Sequence, residues 1–174
     1  MLIRPARKAD APAVAAIYAH YVHQTAITFA THAPTAEEYA TRIADRRYPF
    51  LVAEESGQVC GFAYAGAFRE KEAYRWDVEL TIYLTPECTG AGIGKELLTE
   101  CLDQLRKQGY LNAYSCITLP NERSVGLHRR LGFRELGVFP KTGYKLGKWH
   151  NVIWMGLELG EFCTPPQEPQ LNNG

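Results

Sequence analysis

The stretch Tyr83-Leu-Thr-Pro-Glu-Cys-Thr-Gly-Ala-Gly-Ile-Gly-Lys-Glu-Leu-Leu98 constrains this chain more than any other. Leading into it, Trp76, Val78, Leu80, Ile82 and Leu84 alternate with Asp77, Glu79, Thr81 and Tyr83. Period two means a strand with one apolar and one polar face. Beyond it, Ile93, Leu97, Leu98, Cys101, Leu102 and Leu105 recur at helical spacing, and Gly109 follows as a C-terminal cap. A strand that passes through glycines into an amphipathic helix leaves backbone N–H groups bare. It also points the positive end of the helix dipole at the turn. Such a turn suits a phosphate, the alternative being a tight connection with no ligand.

The rest of the chain supplies more of both elements. Residues 2–4 form a strand candidate stopped by Pro5. Asp10 is placed to cap a helix carrying Val14, Ile17, Tyr18, Tyr21 and Val22, and Thr35-Ala-Glu-Glu38 is a capping box that starts a second helix. Residues 50–53 and 59–65 read as a hairpin around Ser56-Gly57, and 113–118 as a further strand. Asn121 caps a helix through Leu131 that Gly132 ends, and strands at Val138 and 152–159 complete the pattern. The order predicts a mixed α/β (α+β) sheet with helices on both faces.

Composition removes several functions. In 174 residues, 19 Lys+Arg balance 19 Asp+Glu, so no global charge favours nucleic acid as a partner. The five cysteines, at 60, 88, 101, 116 and 163, contain no C-x-x-C pair and read as free thiols in a reducing compartment. His20, His23, His32 and His150 lack ligand spacing, so no metal is expected. No apolar run reaches the ~20 residues that span a bilayer, and no apolar segment follows the N-terminal charges; no membrane partner and a cytoplasmic location are expected. The chain reads as one domain over 1–162 with a Pro-rich, flexible tail over 163–174.

Register decides which phosphate turn this is. A dinucleotide fingerprint starting at Gly90 needs glycine where Lys95 stands. A P-loop ending in Gly94-Lys95 needs glycine at Thr89 and Ser or Thr at Glu96. Both fail. Thr89-Gly90-Ala91-Gly92-Ile93-Gly94 instead resembles the Gln/Arg-x-x-Gly-x-Gly/Ala pyrophosphate turn of the GCN5-related N-acetyltransferase (GNAT) family, departing from it at Thr89. Arg47-Tyr-Pro-Phe-Leu-Val-Ala-Glu54, Ala73-Tyr-Arg-Trp-Asp-Val-Glu79, Leu119-Pro-Asn-Glu-Arg-Ser-Val-Gly-Leu-His128 and Gly143-Tyr-Lys-Leu-Gly-Lys-Trp-His150 resemble segments of phosphinothricin and methionine sulfoximine N-acetyltransferases. They follow one another in the same order and spacing over nearly the whole chain except the tail.

The resemblance implies a GNAT fold, acetyl-CoA as co-substrate, a small amino-acid-like acceptor and a homodimer. It also distributes roles. Residues 89–94 and Lys95 hold the pyrophosphate, Asn121 contacts CoA besides capping its helix, and Ile82, Tyr83 and Leu84 offer backbone groups to the pantetheine. Glu79 is the candidate base for the acceptor amine, which is mostly protonated at neutral pH. His128 is the candidate proton donor to the leaving thiolate, or a hydrogen-bond partner of Glu79. Phe29, Arg75 and Asp77 are the acceptor-binding candidates, Asp77 also being the reserve base and Arg75 the expected partner of an α-carboxylate. Each has a plainer reading: Glu79 and Arg75 as solvated charges, His128 as a satisfied core histidine. A non-catalytic acyl-CoA sensor and a peptide N-terminal acetyltransferase share the same fold signals.

Overall fold

A computed structural model describes residues 1–172. Among the described residues seven strands and four α-helices follow one another as β1 (Leu2–Pro5), α1 (Ala11–Gln24), α2 (Ala36–Ala44), β2 (Phe50–Glu55), β3 (Gln58–Ala67), β4 (Asp77–Leu84), α3 (Ile93–Gln108), β5 (Asn112–Leu119), α4 (Glu122–Arg130), β6 (Arg134–Lys145) and β7 (Lys148–Glu158). The strands form one sheet in the order β1-β2-β3-β4-β5-β7-β6. Every neighbouring pair is antiparallel except β4 with β5.

Strand alternation sorts the core into two layers. Leu51, Ala53, Ala63, Val78, Leu80, Ala113 and Ile117 face Leu97, Leu98, Cys101, Leu102 and Leu105 of α3. On the other face, Phe50, Val52 and Phe62 meet Val14 and Ile17 of α1 and Tyr39 of α2. A fully buried leucine or phenylalanine contributes roughly 1.5–3 kcal/mol, so these two layers fix the sheet between its helices.

Several local expectations are met. Thr35 Oγ1 accepts from Glu38 N at 3.2 Å while Glu38 Oε2 accepts from Thr35 N at 2.7 Å, closing the capping box. Gly109 ends α3 in the left-handed conformation, with φ +89°. Asn121 Oδ1 caps α4 by accepting from Ser124 N.

Asp10 departs from expectation. It precedes α1 but makes no side-chain cap; its carboxylate takes both Arg4 guanidinium nitrogens, at 2.7 and 2.8 Å, and the Arg7 N–H. Strand β6 runs over twelve residues where a strand was expected around Val138 alone. The reason is its exposure: almost none of β6 is buried, so its sequence carries no alternating apolar face to read.

The segment from Cys163 through the last described residue forms no helix or strand. It lies along the domain, where Gln167 O accepts from Trp76 Nε1 at 2.7 Å, and Gln170 exchanges hydrogen bonds with Gln108. The last two residues of the tail, 173 and 174, lie outside the described residues.

Candidate active site

The site exists because one ladder is short. Strands β4 and β5 pair over Asp77↔Asn112, Val78↔Ala113 and Glu79↔Tyr114 only. Both continue beyond that point, β4 to Leu84 and β5 to Leu119, so the strands part and open a cleft at Glu79. A cavity of about 300 Å³ fills the gap. Residues 79–83 form one wall and residues 115–118 the other. The edge of β4 that faces the cleft past Glu79 has no strand partner among the described residues, so Ile82, Tyr83 and Leu84 can offer main-chain groups to an extended ligand there. Not all are free: Leu84 O accepts from Tyr21 Oη at 2.5 Å.

The glycine turn lies beyond the end of β4. Gly90 and Gly92 have φ of +90° and +86°, a region that costs other residues roughly 1–2 kcal/mol. Among the described residues the N–H groups from Gly90 to Gly94 donate to no backbone carbonyl, whereas those of Lys95 and Glu96 bond Gly92 O. Five bare amides at the start of a sixteen-residue helix make an anion cradle. A Cβ on Gly94 would meet Leu127 Cδ2 at 3.2 Å and Ile82 Cδ1 at 3.4 Å, so glycine there lets α3 approach both β4 and α4.

Glu79 and His128 line the same cavity, as do Phe29, Ile82, Tyr83 and Asn121. Burial pushes the Glu79 carboxyl above its ordinary value, and the Arg69 charge partly offsets that rise. A carboxylate with raised basicity on a cleft wall suits proton abstraction. His128 is 2% exposed, with its ring edge-on to Phe133. Its Nδ1 lies 2.8 Å from Ser124 O; a carbonyl only accepts, so Nδ1 carries the proton and Nε2 presents a lone pair. Burial lowers the imidazole's basicity, so at neutral pH the ring is uncharged. Among the described residues it makes no hydrogen bond to Glu79.

Arg75 and Asp77 lie apart from this cavity. Arg75 precedes β4; its guanidinium stacks over Trp76 at 5.0 Å and pairs with Glu168 at 3.0 Å. Asp77 Oδ1 accepts from Asn112 Nδ2 at 2.8 Å, across the short ladder that closes the cleft. Both share the sequence neighbourhood of Glu79, but the strand carries them away from the opening. Phe29 lines the cavity from the loop between α1 and α2. Three contacts pin that loop: Lys145 Nζ donates to Thr28 O at 2.7 Å, Thr118 Oγ1 donates to Ile27 O at 3.3 Å, and the Phe29 ring covers Gly143 so closely that a Cβ there would sit 2.1 Å from it.

Other residues of the site carried no signal in the sequence. Tyr18, Thr28 and Tyr64 line the cavity from distant segments, and Tyr18 Oη lies 2.7 Å from Thr28 Oγ1. Ser115 Oγ is buried in the opposite wall, with no hydrogen-bond partner among the described residues. Arg69 extends from the end of β3, its guanidinium 4.2 Å from the Phe68 ring centroid and 5.6 Å from that of Trp154. Trp154 is paired with Cys116, and Phe68 packs on Tyr114, the partner of Glu79. Arg69 therefore sits at the Glu79 end of the cleft, and its charge also opposes the rise of the Cys116 thiol, pushed up to about 11 by burial and by Glu79.

Residues 3–154 match the family described as "Acetyltransferase (GNAT) domain". The chain belongs to the GNAT acetyltransferase family. It is 41% identical over 168 residues to a phosphinothricin N-acetyltransferase of Streptomyces viridochromogenes, a match covering 95% of this chain and 91% of that one. With an L-methionine sulfoximine/L-methionine sulfone acetyltransferase of Salmonella typhimurium it shares 34% identity over 95% of this chain and 98% of the relative. A GNAT superfamily phosphinothricin acetyltransferase of Sinorhizobium meliloti, solved in complex with acetyl-CoA, superposes with a TM-score of 0.89 at 37% identity, over 97% of this chain and 92% of that one. The GNAT fold inferred from sequence is thus the fold observed: a mostly antiparallel seven-stranded sheet with helices on both faces. Among the described residues no cluster of His, Cys, Asp or Glu could hold a metal ion, and no helix is long and apolar enough to cross a membrane.

Proposed function

We propose that this protein transfers acetyl from acetyl-CoA to the α-amine of a small amino-acid-like acceptor, by direct attack in a ternary complex. One observation carries the reading: the cleft opened by the parting of β4 and β5 joins an anion cradle at one end to a half-buried carboxylate at the other. The relatives named for phosphinothricin and methionine sulfoximine acetylation support the same acceptor class.

Each half of the reaction has residues suited to it. The amides of residues 90–94 take the pyrophosphate, with Thr89 and Lys95 beside them, and the free edge at Ile82 and Tyr83 takes the pantetheine. Asn121 holds the first turn of α4 against the cavity. Glu79 removes a proton from the acceptor ammonium, and the neutral nitrogen attacks the thioester carbon. As the C–N bond forms and the C–S bond breaks, the thiolate leaves and takes up a proton. A neutral His128 is no standing acid. Its Nε2 lone pair serves as a relay, receiving the proton shed as nitrogen becomes an amide and passing it to sulfur. Phe29 bounds the acceptor side chain. Arg69, the charge that reaches Glu79, takes the α-carboxylate in place of the ion-paired Arg75.

Two copies of the chain pair through β6 and β7 in this reading. Leu136, Val138, Phe139, Tyr144 and Trp149 on that hairpin are each at least 49% exposed, more apolar surface than a lone sheet edge normally shows. Sedimentation reports the state directly: a dimer is expected, and a monomer at micromolar concentration contradicts the pairing.

Thiol release from acetyl-CoA, followed with phosphinothricin, methionine sulfoximine, methionine sulfone and the common amino acids, tests the function. Acceptor-dependent release with at least one of them is expected. Acetyl-CoA binding without release across the set points instead to the non-catalytic sensor, and release only with peptides to the N-terminal acetyltransferase.

A further inference from the structure

The anion cradle at residues 90–94 starts with a neutral residue. Thr89 has no charge to offer a pyrophosphate, and its hydroxyl is already engaged. Thr89 Oγ1 donates to Pro86 O at 2.8 Å, and its lone pair accepts from Arg123 Nη1 at 3.2 Å. Arg123 comes from the first turn of α4, 34 positions further along the chain. Among the described residues it makes no ion pair, although Glu122 precedes it and Glu87 and Glu96 flank the turn. An exposed guanidinium held by a threonine hydroxyl, with no carboxylate partner, is a cation left for a ligand.

Packing explains how it arrives there. Gly94 lets Leu127 of α4 come within van der Waals reach of the first turn of α3, and Arg123, four residues before Leu127 and so on the same face of α4, reaches the turn itself. The bare amides of residues 90–94 and the Arg123 side chain are thereby brought to one place from two helices. The amides supply directed hydrogen bonds, and the arginine supplies the net positive charge that the turn's first residue lacks.

From this convergence we infer that Arg123 is a specificity residue for the pyrophosphate of acetyl-CoA, held in position by Thr89 and contributing from α4 the cation that residue 89 does not. The inference rests on the acetyl-CoA reading above and sharpens it. Lys95 lies in the first turn of α3, on a flexible stem that no partner among the described residues fixes; Arg123 is pre-positioned.

Acyl donors that differ only in phosphate content provide the test. Acetyl-CoA, acetyl-dephospho-CoA (no 3′-phosphate) and acetyl-pantetheine (no phosphate) are compared in the full-length wild type and in Arg123→Met. The Michaelis constant and kcat are read with a common acceptor, and binding of each donor by calorimetry. Expected for Arg123→Met is an increase of about 10-fold in the Kd and KM of both pyrophosphate-bearing donors, with kcat at saturation and all acetyl-pantetheine parameters unchanged. Adding Thr89→Arg to Arg123→Met should restore much of the loss. An equal loss with acetyl-pantetheine overturns the assignment, because it means general damage. So does no loss with acetyl-CoA, or a loss confined to acetyl-CoA, which would make the 3′-phosphate the ligand. A wild type that neither binds nor turns over any of the three donors defeats the acetyl-CoA reading itself, a pattern distinct from all of these.

Discussion

The two ends of the cleft, proposed to hold the donor and the acceptor, are made by different means. The donor end is main chain: five bare amides, two glycines at positive φ and a helix start, nearly all within residues 89–96. The end proposed for the acceptor is side chain: Glu79, Phe29, Thr28, Tyr18 and Tyr64 line it and Arg69 lies beside it, brought from four segments and fixed by tertiary contacts such as Lys145 on Thr28 O. A constant ligand such as a pyrophosphate can be met by backbone geometry. An acceptor that differs between relatives is met by side chains, which change without disturbing the sheet.

Substitutions should separate the two ends. The largest effect belongs to Glu79→Gln, which keeps the shape but removes the base: kcat is expected to fall about 100- to 10,000-fold while the Kd of acetyl-CoA stays unchanged. Next, Arg69→Met should raise the KM of an amino-acid acceptor about 10-fold. It should leave the corresponding amino-acid amide, which has no carboxylate, almost unaffected; an equal loss for both acceptors removes Arg69 from that role. At the donor end, Gly92→Ala places a Cβ at φ +86° and should weaken acetyl-CoA binding up to about 10-fold by calorimetry, with the acceptor KM little changed. A smaller effect, a few-fold in acceptor KM alone, is expected of Lys145→Met, which frees the loop carrying Thr28 and Phe29. Smallest of all is Arg75→Ala: its pairing with Glu168 is exposed, and turnover with every acceptor should stay close to wild type.

The same contrast decides what the sequence made legible. The glycine turn, α3 and its Gly109 cap, and the Thr35–Glu38 box are local, so their residues announce them. Glu79 could be found because period two places it on the polar face of a strand. Nothing in the chain marks where β4 and β5 separate, since that depends on register between strands 35 positions apart. Arg75 was assigned to the acceptor through the resemblance and its place at the mouth of the strand, and the structure places it against the tail instead. Arg69, six positions earlier, reaches the cleft because β3 ends beside Trp154, a residue of β7. Strand β6 went largely unread for a related reason: an uncovered strand needs no alternation. Asp10 looked like a cap until Arg4, from β1, claimed its carboxylate.

In the proposed mechanism a half-buried Glu79 at the fork of β4 and β5 takes the proton of the acceptor. The most direct test of that step is the pH dependence of kcat/KM for the acceptor in wild type and Glu79→Gln. Burial raises the Glu79 pKa, so the base is lost as pH falls through a midpoint above the ordinary carboxylate value of about 4.3. Below that midpoint the carboxyl must lose a proton before it can take one from the ammonium, and log kcat/KM should climb with a slope of one. Above it the carboxylate meets an ammonium that is still protonated, and the profile should level off until the amine itself titrates. Glu79→Gln, in which solvent must deprotonate the amine, should show a slope of one straight through that midpoint, at much lower rate. A levelling at the same midpoint in Glu79→Gln, or a variant with near-wild-type rate, would remove Glu79 from that role.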